Sequence, residues 1–180
     1  DLIVFDRYRR RDVLAQVYLD NIVRWVRRGG ALLLATGPNQ APNNSLFNSP
    51  VGQIMPAAPN GRVIEQGYRP APTDAGRRHP VTAELAGLGA EGAEPGWGRW
   101  YSTVEAEQRR GQNLLVAAQG RPLLLLDRVG AGRVAQLQSD HIWLWARGHD
   151  GGGPHAELLR RIAHWLMKEP ELEENDLRVA

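Results

Sequence analysis

A chain of 180 residues with 42% hydrophobic side chains is long enough to bury one substantial core. Its formal net charge of +2 argues against nucleic acid as a partner, and its lack of cysteine excludes disulfides, cysteine-ligated zinc and a thiolate nucleophile. No run of about 18 apolar residues occurs, so no segment reads as a membrane-spanning helix.

Leu2 to Phe5 is a short continuous apolar run, the pattern of a strand covered on both faces. A chain that opens inside such a strand reads as a piece of a longer protein. The cluster "RYRRR", Arg7 to Arg11, reads as a solvated loop or helix start, with an anionic partner as the sharper alternative. Asp12 is placed to cap a helix running to Arg28. In that helix Leu14, Tyr18, Ile22, Trp25 and Val26 recur at helical spacing, and Arg24, Arg27 and Arg28 fall on the wet side. Gly29 and Gly30 stop it, and "ALLLAT", Ala31 to Thr36, is a second buried strand. Strand, helix, strand in this order predicts a crossover and a parallel pair.

Residues 37–96 are rich in Pro, Asn and Gly and read as a loop-rich excursion from a single domain spanning 1–180. A short helix is expected near Val51 to Met55 and a strand near Arg62 to Gln66. Three further strands follow in "NLLVAAQ", "PLLLLDRV" and "RVAQLQS", the last two joined by a hairpin turn at Gly130 to Gly132. Pro154 suits a helix start, and Leu158, Leu159, Ile162, Trp165 and Leu166 share one face of the helix from His155 to Lys168; Pro170 ends it. The expected fold is α/β, with three layers and a mainly parallel, flavodoxin-like sheet carrying an antiparallel hairpin near its C-terminus.

These segments carry a resemblance. "VRRGGALLLATG", "PLLLLDRVGAGRVAQLQ", the Asp140-His141 pair and "GGGPHAELLRRIAHWL" are similar to the class I glutamine amidotransferase-like superfamily, most of all to its membrane-associated bacterial branch. "HPVTAELAGL", His79 to Leu88, is similar to a segment of the ThuA-like group. The resemblance implies a domain of a larger bacterial inner-membrane protein, on its periplasmic or cytoplasmic face. It also implies an active-site turn after "ALLLAT" and a histidine at a later strand end, oriented by a glutamate two residues on. Here the turn offers Thr36 and Gly37 without cysteine, His141 stands at the histidine position, and Trp143 replaces the glutamate. Triad members act as a unit, so this pattern implies a non-catalytic, ligand- or partner-binding domain. A hydrolase with a rearranged site around His141, Asp140 and Thr36 is the alternative, although sequence neighbours such as Asp140 and His141 point apart on a strand.

Ligand-binding candidates are Gly151, Gly152, Gly153 and His155, at a helix start whose free N–H groups suit an anion, and Trp143. An ordinary glycine loop with a capping histidine is the plainer reading. His141, His149, Asp150 and His155 match no metal-ligand spacing, so neither metal nor cofactor is expected. The paired tryptophans Trp97 and Trp100, and Trp143 and Trp145, read as core beneath the loops, with an exposed aromatic patch as the alternative. The partner expected is an unidentified protein or small molecule.

Overall fold

The computed structural model describes residues 1–8, 14–37 and 45–168. The apolar runs form strands where their composition places them: β1 (Leu2–Asp6) and β2 (Ala31–Ala35), joined by helix α1 (Gln16–Arg27). A 3-10 stretch over Pro50–Ile54 occupies the expected short helix. Then come β3 (Ala57–Ile64), β4 (Ala71–Pro72), α2 (Asp74–Arg78), β5 (Thr103–Gln108) and β6 (Gln112–Val116). The chain closes with β7 (Pro122–Val129), β8 (Gly132–Leu137), the single-turn α3 (Trp143–Ala146) and α4 (His155–Met167).

The main sheet has the order β1-β2-β8-β7-β6-β4, and β3 pairs with β5 in a separate two-stranded sheet. β1 and β2 run parallel, as the strand–helix–strand order predicts, and β8 runs parallel to β2 on its other side. The sheet as a whole is mixed rather than mainly parallel, because the β8–β7, β7–β6 and β6–β4 pairs are all antiparallel. The two-residue connection Gly130–Ala131 enforces the first reversal, since so short a loop joins only antiparallel neighbours. Gly130 has φ +61°, and a Cβ on Gly130 or Gly132 would collide with the backbone of α1 at Arg27 or Val26. Those glycines let the hairpin dock against the helix end, where Ala131 N–H donates to Arg27 O at 3.0 Å.

Helices cover both faces of the parallel half. Leu19, Val23 and Val26 of α1 pack with Leu32, Leu34 and Val134, while Leu158, Ile162, Trp165 and Leu166 of α4 pack with Ala31, Ala135 and Leu137. Alternation along β2 and β8 supplies both sets. Two details of α1 depart from expectation. Asp12 lies outside the described residues, and the helix begins at Gln16 with no side-chain cap. Its buried face is also rotated: Tyr18 is exposed while Leu19 and Val23 are buried, and Ile22 and Trp25 are half-buried at the border.

The small sheet seats on β8 through Gln136. This fully buried amide accepts from Ala57 N–H at 2.9 Å and donates to Ala57 O at 3.2 Å. A buried polar group needs such partners, and the β3 backbone supplies them. β3 begins five residues earlier than expected, because its first part pairs with β5, "TVEAEQ". In β5 Val104 and Ala106 are buried, whereas Glu105 and Glu107 face outward. Pro170 lies outside the described residues.

Candidate functional site

Three parallel strands end side by side, and their ends frame a cleft of about 530 Å³. Its walls are apolar, from Val4, Leu33, Leu137, Ile142 and Ile162 among others, and its polar groups are Asp6, Arg7 and Asp140. Trp143 stands at the cleft with 48% of its surface exposed, so it is not core. Ligands in open α/β sheets sit beyond the carboxyl ends of strands, which is where this cleft lies.

The turn after β1 and the turn after β2 meet here. Arg7 adopts φ 47°, its N–H donates to Ala35 O at 2.9 Å, and its side chain lies over Gly37, where a Cβ would strike it. From that position a guanidinium nitrogen of Arg7 stands 3.7 Å from Oδ2 of Asp140, whose side chain is only 10% exposed. The other carboxylate oxygen, Oδ1, is buried and has no hydrogen-bond partner among the described residues.

Thr36 belongs to the scaffold. It is 2% exposed, and its hydroxyl donates to Leu137 O at 2.9 Å with Gln138 Oε1 at 3.2 Å. β8 ends at Leu137, so Asp140 and His141 lie in the turn beyond it. Freed from strand alternation, they do not point apart: His141 Nε2 comes within 4.0 Å of Asp140 Oδ1. His141 Nδ1 accepts the Tyr101 N–H at 3.0 Å, which leaves Nε2 as the protonated nitrogen of the neutral ring. That geometry orients the ring but leaves it no free lone pair with which to act as a base on Thr36. Nearby, burial pushes the Tyr68 phenol well above its ordinary range, so it stays neutral; its hydroxyl donates to Ser102 O at 3.2 Å.

Gly151, Gly152, Gly153 and His155 do not line the cleft. Gly152 O accepts the Gly98 N–H at 2.6 Å, and Gly153 lies flat on the Trp145 ring, where any Cβ would overlap it. Trp145 in turn donates from Nε1 to Gly98 O at 2.7 Å and packs 4.8 Å from Trp100 and 5.3 Å from Trp97, centroid to centroid. These three tryptophans are core. His155 is half-buried, and its N–H donates to Gly153 O at 2.8 Å.

Sequence reasoning missed one constellation: Arg69 and Arg99 both approach Asp150, and Tyr101 OH lies 3.1 Å from His149 Nε2. Some thirty to eighty residues separate these groups, and no local spacing announces them. Among the described residues, no helix is long and apolar enough to cross a membrane.

No protein-family model matches the chain, and no curated protein matches it in sequence. Solved structures do match. A cytoplasmic protein from Salmonella typhimurium superimposes at TM-score 0.70 with 17% identity, over 92% of this chain and 71% of its own. A putative ThuA-like protein from Parabacteroides merdae does so at 0.56 with 16% identity, over 97% of this chain and 72% of its own. A beta-galactosidase from Rahnella sp. R3 matches at 0.58 with 14% identity, over 96% of this chain but only 23% of its own. At such identities the likeness shows the fold alone: the chain has an α/β fold similar to those of the Salmonella protein and the putative ThuA-like protein.

Proposed function

We propose that this is a non-catalytic, amidotransferase-like domain that binds a small ligand in the cleft at the ends of β1, β2 and β8. The observation that carries the reading is Asp140. A nine-tenths buried carboxylate normally has full hydrogen-bonding partners, because desolvating it is costly. Asp140 has a loose contact with an exposed arginine, and its other oxygen has no hydrogen-bond partner among the described residues, with His141 Nε2 at 4.0 Å. It lines an open, apolar-walled cleft with a tryptophan at its side. A ligand with an N–H or O–H donor and an apolar face matches that set: the donor goes to the carboxylate and the face to Trp143.

The amidotransferase pattern supports binding over turnover. Thr36 is committed to the sheet, no cysteine is present, and the one lone pair of the neutral His141 ring accepts the Tyr101 N–H. The resemblance further supports a place within a larger, membrane-anchored bacterial protein, with residues 1–180 forming one domain. A fold that makes up under a quarter of the Rahnella enzyme is in keeping with use as a module.

The test has two arms. Thermal-shift screening with amino acids, saccharides and nucleotides should find ligands whose effect is lost in both Asp140→Asn and Trp143→Ala. Incubation with glutamine and simple esters should give no turnover that depends on His141. Stabilisation that survives both cleft variants removes the cleft from the reading. Turnover abolished by His141→Ala would show a hydrolase instead.

A further inference from the structure

A second site lies apart from the cleft, on groups the proposed function does not use. Tyr68 and Trp100 face each other in an isolated antiparallel bridge, with N–H to O distances of 2.9 and 2.8 Å. Both side chains are buried. Arg69 and Arg99 are the next residues along, one on each segment, and both reach the surface side, 33% and 53% exposed. Two guanidinium groups in such cross-strand positions repel unless an anion lies between them.

In this structure that anion is the protein's own. Asp150 Oδ2 lies 3.6 Å from Arg69 Nη2 and 3.8 Å from Arg99 Nε, and it accepts the Arg99 backbone N–H at 3.3 Å. All three contacts are long. By contrast, Glu157 meets its arginines at 2.9 and 2.6 Å. One carboxylate between two guanidinium groups also leaves an excess positive charge.

The carrier of Asp150 suits a removable occupant. Asp150 itself sits at φ 49°, and Gly148, Gly151 and Gly152 also have positive φ. A Cβ added at Gly148 or Gly151 would meet nothing within 4 Å, so the glycines flanking Asp150 have open space around them, while the segment's backbone is held where Gly98 meets the carbonyls of His149, Asp150 and Gly152. Beside it, Tyr101 contacts His149 and lines a cleft of about 390 Å³ with Glu65, Gln66, Gly67, Ser102 and His141. That cleft offers room for the remainder of a molecule whose oxyanion reaches the arginines.

We propose that Arg69 and Arg99 form a binding site for an oxyanion, the phosphate or carboxylate of a small molecule, and that Asp150 is its displaceable internal occupant. An incoming oxyanion replaces one carboxylate oxygen with two or three acceptors, which the paired guanidinium forks match better. The Asp150 side chain then turns out to solvent, while Gly152 O keeps the Gly98 N–H.

The experiment titrates the full chain with inorganic phosphate, acetate and chloride at constant ionic strength, read by calorimetry and by arginine side-chain NMR. Asp150→Asn removes the competing charge while keeping a residue that tolerates left-handed backbone, and Asp150→Gly does so without any strain. Phosphate should bind either variant about fivefold or more tightly than it binds the wild type, as expected for loss of a partly exposed like charge. Arg69→Ala combined with Arg99→Ala should abolish binding. Acetate binding as well would extend the site to carboxylates, and phosphate alone would narrow it to phosphates. Equal phosphate affinity in wild type and both Asp150 variants overturns the proposal. So does binding that survives loss of the arginines, or chloride acting as well as phosphate.

Discussion

Thr36 and Leu137 are joined twice: the Thr36 N–H reaches Leu137 O at 2.8 Å and the Thr36 hydroxyl reaches the same oxygen at 2.9 Å. The position that resembles an amidotransferase nucleophile turn is therefore a clasp between β2 and β8. Thr36→Val should lower stability by about 1 kcal/mol, the net worth of one buried hydrogen bond, and leave cleft binding unchanged. Thr36→Ser should recover most of the loss. Urea denaturation measures both, and a valine variant of unchanged midpoint but altered ligand affinity would contradict the clasp.

Gly153 and Trp145 make the second prediction. The ring occupies the space a Gly153 side chain would need, and its Nε1 satisfies Gly98 O. Gly153→Ala should cost roughly 1–3 kcal/mol through overpacking. Trp145→Phe removes the donor and leaves a buried carbonyl unpaired, costing about 1–3 kcal/mol. The two changes disturb one contact, so the double variant should cost clearly less than the sum. Simple additivity in a denaturation cycle would mean the glycine and the ring act separately.

The physics that made some elements legible also explains what was missed. Pro122–Val129 is unmistakable because a continuous apolar run bounded by turn residues has few other uses, and α4 shows one broad apolar stripe. α1 carries two adjacent stripes, Tyr18-Ile22-Trp25 and Leu19-Val23-Val26. Periodicity alone does not choose between them; the sheet does, by taking the small aliphatic one. The mixed sheet was half visible, since the Gly130–Ala131 hairpin showed one reversal while the β6 and β4 pairings are long-range. β5 hid behind its glutamates although Val104 and Ala106 alternate correctly. Of the polar groups at the cleft, Asp140 follows from a strand end, whereas Arg7 reads only as part of a basic run. Its role depends on a left-handed turn that no composition reveals.

Acid stability should report Glu157. Hydrogen bonds from Arg160, and then from Arg161, lower its pKa to about 2. Arg161 also donates to Pro80 O, so the pair ties α4 to the 79–83 turn. The unfolded carboxyl titrates near about 4.3. Between those values the unfolded chain takes up a proton that the folded one does not, so the contribution is present above about pH 4.3 and lost as pH falls towards 2. The groups are partly exposed, which limits it to about 1 kcal/mol or less. Asp127 opposes this, because burial raises its pKa, but a comparison of wild type with Glu157→Gln cancels it. The stability gap between the two proteins should be present at pH 7 and shrink towards pH 2.5; a gap independent of pH would refute the ion-pair account.

Asp140 separates structural from functional carboxylates. A buried acid that holds a fold together is costly to lose, about 3–5 kcal/mol when its partner is left unpaired. Asp140 has the opposite profile: one oxygen lacks a partner among the described residues, and the other is 3.7 Å from an arginine that is 61% exposed and can return to water. Neutralising it removes a buried charge and strands no buried partner, since an asparagine oxygen can still face His141 Nε2. Asp140→Asn should therefore leave stability unchanged or raise it by up to about 1 kcal/mol, while abolishing ligand-induced stabilisation at the cleft. Stability gained together with binding lost is the signature of a group held at a cost for what it binds. Should the asparagine variant instead lose more than about 2 kcal/mol, Asp140 is part of the scaffold, and the binding reading loses the observation on which it stands.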